Sequence, residues 1–195
     1  MMAQAFSQEA TRIELLSANT LEDGGALGKN VRRLIGNVAF KHDNAYMYCD
    51  SAHLFADQNN LDAFGSIHIR QGDTLNLYGD MLKYDGNAKL AQLFNNVKLT
   101  DRTMLLTTTR MNYDMNTGVS SYTTGGKIVD KDNVLTSQAG YYYSRKKDFF
   151  YKKNVVLTNP KYVMKCDTLK YNTSSKISYF LPGVRCSGDT DAFCN

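Results

Sequence analysis

A step of about thirty residues governs this sequence. Two turn-forming residues followed by an apolar, a variable and an apolar residue recur as Gly36-Asn37-Val38-Ala39-Phe40, Gly65-Ser66-Ile67-His68-Ile69, Asn95-Asn96-Val97-Lys98-Leu99 and Lys153-Asn154-Val155-Val156-Leu157, with a weaker copy at Gly125-Gly126-Lys127-Ile128-Val129. Taken at the third residue (38, 67, 97, 127, 155), the steps are 29, 30, 30 and 28 residues. A second motif keeps the same step: Asp80, Thr109, Gln138 and Asp167 are each followed four residues later by Tyr84, Tyr113, Tyr142 and Tyr171. Two motifs locked to one period describe a chain made of one repeated supersecondary unit, which cannot bury its apolar face alone and therefore stacks on its neighbours.

The unit reads as paired β-strands of about eight to ten residues. Val38 and Phe40 flank Ala39, Ile67 and Ile69 flank His68, and Val97 and Leu99 flank Lys98. Successive side chains point to opposite faces of a strand, so one face is apolar and the other mixed. The same parity puts Asp80, Leu82 and Tyr84 on one face and Met81 and Lys83 on the other. Turn signals separate the strands, among them Asp43-Asn44, Asn59-Asn60, Gly72-Asp73, Asp85-Gly86-Asn87 and Asn116-Thr117-Gly118. Only two prolines, no tryptophan, 13 tyrosines and nine phenylalanines suit a pleated, half-buried surface, and leucine-rich helical faces are missing. The expectation is an all-β, elongated, solenoid-like stack of antiparallel strands with an apolar wall along its length.

An uninterrupted repeat leaves no linker, so residues 1–195 are expected to be one repeat domain. Clear units fill about 31–181, residues 1–30 read as a degenerate first unit, and 182–195 as a truncated last one, as in a piece of a longer repeat protein. The sequence has no apolar run of the roughly 18 residues that would span a membrane. Residues 1–8 lack the charged region and apolar core of a signal peptide, while Ala3-Gln4-Ala5 fits the small-residue tail of one already removed. A net charge of +4 favours solubility and tolerates an anionic partner.

Cys49, Cys166, Cys186 and Cys194 contain no CxxC pair of the kind that builds zinc sites. Cys49 and Cys166 directly precede the repeat-phase Asp50 and Asp167, and Gly79 holds the same slot before Asp80, so the slot takes a small, half-buried residue. A bridge between Cys166 and Cys194 is the alternative. Asp50, Asp80 and Asp167 recur at several units, whereas a catalytic carboxylate pair is made once, so they read as turn-bonding or solvent-facing groups. His42, His53 and His68 have no metal-ligand spacing and are expected at the surface. Neither a nucleophile elbow, a P-loop nor a dinucleotide fingerprint is present, and the expectation is a non-enzyme without metal or cofactor. The run from Tyr141 to Lys153 mixes aromatics and cations in a way that suits single-stranded nucleic acid. In the repeat frame its aromatics fall on two strands and Arg145 to Asp148 form a solvated turn, so nucleic acid is not expected.

The segments GNVAF (36–40), NNVKL (95–99) and GDMLKYDGNAKLAQL (79–93) resemble the repeats of the LptA/OstA-like family over about residues 31–181. The resemblance implies a twisted β-jellyroll in the periplasm of Gram-negative bacteria, whose apolar interior carries lipopolysaccharide acyl chains towards the outer membrane. Its implied partners are lipopolysaccharide or lipid A and other jellyroll transport proteins joined end to end, while the unprotected edges of the strand array by themselves lead to an expectation of head-to-tail self-association. On that footing the candidate lipid-lining residues are Val38, Phe40, Ile67, Ile69, Leu82, Tyr84, Val97, Leu99, Met111, Tyr113, Val155, Leu157, Leu169 and Tyr171, about half of them expected to form dry core. Arg145, Lys146 and Lys147 are candidates for lipid phosphates. A structural repeat scaffold that binds proteins through its open edges is the alternative, and an interior interdigitated throughout would favour it.

Overall fold

The computed structural model describes residues 11–23, 25, 28, 30–102, 104–131, 133–175 and 177–180, and the backbone of 185–188. These form β1 (Glu14–Ser17), β2 (Thr20–Asp23), β3 (Val31–His42), β4 (Ala45–Phe55), β5 (Asn60–Gln71), β6 (Leu75–Asp85), β7 (Leu90–Asp101) and β8 (Leu105–Asp114). They continue as β9 (Val119–Tyr122), β10 (Gly126–Asp130), β11 (Asn133–Ser137), β12 (Ala139–Tyr143), β13 (Asp148–Asn159), β14 (Tyr162–Asn172), β15 (Ser178–Phe180) and β16 (Arg185–Gly188). All pairings are antiparallel and join the strands into a single sheet, the all-β architecture expected.

The long strands are longer than the turn signals predict, because the Gly-Asn type pairs do not end them. Between the pairs Ile35↔Ser51 and Val38↔Cys49, β3 spends Gly36 and Asn37 against Asp50 alone. The same two-against-one bulge sets Gly65-Ser66 and Asn95-Asn96 against Asp80, and Lys153-Asn154 against Asp167. All eight bulge residues are left-handed: Gly36 and Asn37 at φ 74° and 51°, Gly65 and Ser66 at 72° and 46°, Asn95 and Asn96 at 58° and 49°, Lys153 and Asn154 at 63° and 53°. A bulge bends its strand and sharpens its twist. Each long strand therefore turns a corner at its midpoint, and its halves lie in two facing layers. Half-strands such as 31–35, 81–85 and 148–152 build the first layer, and 38–42, 75–79 and 155–159 the second.

The corner corrects the face expected for Asp80. Gly79 and Leu82 are both inside while Asp80 between them is exposed, since the parity slips by one where the strand bends. Asp80 accepts a hydrogen bond from Asn96 Nδ2 at 2.7 Å, and Asp50 one from Ser66 Oγ at 3.0 Å. The recurring aspartate thus ties down the left-handed pair opposite it. The slot before it takes Cys49, Gly79, Thr108, Ser137 and Cys166 at successive corners. Cys49 and Cys166 are buried free thiols, which gives the bridge to Cys194 no support; Cys194 itself lies outside the described residues.

Inside the second layer an apolar row crosses ten strands without a break: Phe40, Met47, Ile69, Leu77, Leu99, Leu106, Ile128, Leu135, Leu157 and Met164, each directly paired with the next. This row also corrects the weaker repeat copy. Gly126, not Lys127, pairs with Thr108 as Val97 does, so Ile128 holds the place of Leu99 and Leu157. Gly126 escapes the apolar pattern because the Tyr122 ring occupies the space of a side chain; a Cβ there would lie 2.5 Å from Tyr122 Cε2.

At the hairpin ends of the first layer a second period holds the stack together. Asn59, Lys89, Gly118 and Lys147 are left-handed (φ 56°, 56°, 71° and 58°). Their carbonyls accept the amides of Gly86, Met115, Ser144 and Thr173 at 2.8, 3.0, 3.0 and 2.9 Å, stitching each turn to the next. At the stack's ends, β1 and β2 pair with β3, and β15 and β16 with β14. The expected degenerate first unit is thus an edge strand bent at the same corner, while residues 1–10, 181–184 and 189–195 lie outside the described residues. Among the described residues no helix is long and apolar enough to cross a membrane.

Candidate functional site

The repeat tyrosines bridge the two layers. Tyr84 lies 2.6 Å from Nδ1 of His42, Tyr113 donates to Gln71, Tyr142 donates to Asp101, and Tyr171 donates to Asp130 Oδ2 at 2.7 Å. The tyrosines step through 84, 113, 142 and 171 and their partners through 42, 71, 101 and 130, so every unit supplies one rung to the unit before it. Tyr84, Ala91, Tyr113, Ser120, Tyr142, Phe149 and Tyr171 are consecutive cross-strand neighbours, and small Ala91 and Ser120 leave room for the rings to lean across. Burial pushes the Tyr113 phenol up to about 12. Burial also raises Tyr84, Tyr142 and Tyr171, with the Asp101 and Asp130 carboxylates adding to the rise in the last two. These phenols stay protonated and keep donating well into the alkaline range.

His42 is the correction among the histidines: it is 2% exposed, not at the surface. Its Nε2 lies 2.8 Å from the Thr11 hydroxyl and 2.9 Å from the Thr11 carbonyl, and its Nδ1 2.6 Å from the Tyr84 hydroxyl. His53 and His68 are half-buried, against Phe64 at 5.4 Å and stacked on Tyr78 at 4.6 Å. Among the described residues no group of three or more His, Cys, Asp or Glu gathers as a metal site.

Most of the interior is sealed. Val38, Phe40, Ile67, Ile69, Leu82, Tyr84, Val97, Leu99, Met111, Tyr113 and Val155 are each at most 2% exposed. The layers part towards β15, in a chamber of about 340 Å³. Ile128, Leu135 and Leu157 wall it on the second layer, and Tyr151 and Leu169 on the first. Asp130, Lys131, Asn133, Tyr162, Tyr171 and Ser178 complete the lining. The volume falls within the ~300–1,000 Å³ range of small-molecule sites. The Tyr151 hydroxyl is buried there and has no hydrogen-bond partner among the described residues.

The chamber brings together three of the sequence-derived candidates, Leu157, Leu169 and Tyr171. Ile128 and Leu135 escaped notice because the weaker copy was set one residue out of phase. Tyr151 lay in the aromatic run, whose members the strands divide: Tyr142, Phe149 and Tyr151 point inward, while Tyr141 and Tyr143 are exposed. Of the three candidate cations, Lys147 lies 2.6 Å from buried Asp101, Arg145 borders a polar cleft outside the Tyr113 rung, and Lys146 is exposed away from both. Asp50, Asp80 and Asp167 stand at separate corners and do not converge.

A corner-folded antiparallel stack whose two layers enclose an apolar interior defines a β-jellyroll of the repeat type. Residues 10–167 match the OstA-like protein family, and the chain belongs to it. No curated protein matches the sequence. Among solved structures the chain is similar to LptH from Pseudomonas aeruginosa, described as the LptA homologous periplasmic component of the conserved lipopolysaccharide transport device. The likeness has a TM-score of 0.52 at 14% identity, covering 58% of this chain and 93% of LptH, and establishes the shared fold.

Proposed function

We propose that the protein is a non-catalytic carrier in the periplasmic transport of lipopolysaccharide, holding acyl chains between its two layers. The observation that carries this reading is the chamber, where Ile128, Leu135 and Leu157 of the apolar row face Tyr151 and Leu169 of the opposite layer across about 340 Å³ of space. A chain entering there exchanges water for Ile128, Leu135, Leu157 and Leu169, at about 0.8 kcal/mol per buried methylene. Family membership and the fold shared with LptH support the same reading. Near-equivalent apolar sites have no preferred direction, so directed movement requires an energised partner.

The sealed stretch favours a second reading, a structural repeat scaffold that binds proteins through its edge strands. Lipopolysaccharide binding separates the two. Leu82 and Leu99 are 1% and 0% exposed, so a charge at either unfolds the stack and tests nothing about the ligand. Ile128→Trp or Leu157→Trp instead fills the chamber with apolar volume. The carrier reading expects at least tenfold weaker binding of lipopolysaccharide in these variants and none lost in Lys98→Ser on the outer face. Unchanged binding in all three favours the scaffold.

A further inference from the structure

Outside the Tyr84 and Tyr113 rungs, two cavities of about 240 and 220 Å³ adjoin and share Asn44, Gln71, Met115 and Arg145. Together they make one polar trough along the seam between the layers. Its charged groups are Lys89, Lys147, Arg145 and Asp43. Lys89 is held by Asp43 at 2.6 Å and Lys147 by Asp101 at 2.6 Å. Among the described residues no carboxylate lies within ion-pair distance of Arg145, so its charge is the one left uncompensated.

The backbone sets this guanidinium in place. Gly118 is left-handed at φ 71°, and a Cβ there would lie 3.5 Å from Arg145 Cγ and 2.7 Å from Ser144 Oγ, so the arginine stem rests over the glycine. Ser144 Oγ donates to the Gly118 carbonyl at 2.8 Å, and an Arg145 N–H donates to the Asn116 carbonyl, fixing both ends of the turn. Opposite, Gln71 Nε2 donates to Asn44 Oδ1 at 3.1 Å while Gln71 Oε1 accepts from Tyr113. That arrangement occupies the acceptor of Asn44, and its Nδ2 donates to no other described side chain or carbonyl.

We propose that the trough is an anion site for a phosphoryl group, bound by the fork of Arg145 and the Asn44 amide. A guanidinium presents parallel N–H donors that match two phosphoryl oxygens, and a carboxamide adds a neutral donor without an opposing charge. The trough lies at the Tyr84 and Tyr113 rungs and the chamber at the Tyr171 rung, so an amphiphile with its chains in the chamber reaches along the seam to set its phosphate in the trough. That last step rests on the carrier reading; the trough itself does not.

Titration of the full chain with inorganic phosphate, followed by amide shifts in two-dimensional NMR at constant ionic strength, tests the site. The expected result is a saturable response at residues 44, 71, 118 and 145, weakened at least tenfold in Arg145→Gln and less in Arg145→Lys, which keeps charge without the fork. Arg145 is exposed, so these variants keep the fold. A response unchanged in Arg145→Gln, or matched by chloride, overturns the proposal. A parallel titration with lipid A micelles, phosphorylated or dephosphorylated, identifies the source. An Arg145-dependent preference for the phosphorylated form assigns a lipid headgroup, whereas a phosphate response with lipid binding indifferent to phosphorylation assigns free phosphate. A retained phosphate response with no lipid binding supports the trough and contradicts the carrier reading.

Discussion

At the scale of single residues, the fold depends on positions where two left-handed residues face one aspartate. Gly65 shows how little tolerance these corners have: φ is 72°, and a Cβ would lie 2.3 Å from Asp50 Oδ2. Gly65→Ala should cost about 1–3 kcal/mol, from the left-handed backbone and the displaced carboxylate together. Denaturant unfolding checks this, and Gly72→Ala is the matched control, equally left-handed at φ 60° but with open space for a Cβ. A loss at Gly65 no larger than that at Gly72 would remove the role given to Asp50. These corner pairs were legible as turn chemistry but not as corners, since Gly-Asn between apolar residues also suits a hairpin. What distinguishes a bulge is the partner strand's count of residues, and that is a property of pairing absent from any one segment.

At the scale of strands, the Asp/Thr/Gln-x₃-Tyr motif was legible as a period, and its tyrosines as inward. Their partners were not legible. His42, Gln71, Asp101 and Asp130 share no residue type; they are alike only in ending half-strands of the second layer, 41 or 42 residues before their tyrosines. The rungs give the stack a pH limit. A phenol whose folded value is raised above its unfolded value of about 10 contributes stability that is complete below that pH. The contribution falls as pH rises and is gone once the pH passes the folded value, about 12 for Tyr113. The expected outcome is constant tyrosine-dependent stability up to about pH 10, a decline above it, and a phase of phenolate absorbance from the buried rung tyrosines that appears together with loss of β-structure. Phenolate appearing for all tyrosines near pH 10 with the sheet intact would show that the rungs do not hold the layers.

At the scale of the whole molecule, the sealed interior and the open edges lead in different directions. Among the described residues β15 and β16 pair only with β14, and β1 and β2 only with β3, so the outer edges of these strands have no described strand partner. End-to-end contact would continue the ten-strand apolar row into a second copy, and such heterologous contacts do not close. Association is therefore expected to rise with concentration and to fall when Ser178 and Phe180 are replaced by proline or lysine, as sedimentation velocity can read. A single species at all concentrations would leave end-to-end contact to different partner proteins.

The central claim is that acyl chains lie against the apolar row where the layers part, and side-specific photocrosslinking tests it most directly. With a photoreactive phenylalanine at Leu135 or Leu157 on the inner face, and at neighbouring Thr136 or Val156 on the outer face, the protein is irradiated with lipopolysaccharide. Inner-face adducts through the acyl chains, with little or no labelling from 136 and 156, are the result predicted. Equal labelling from both faces, or none from 135 and 157 in folded protein, would contradict it.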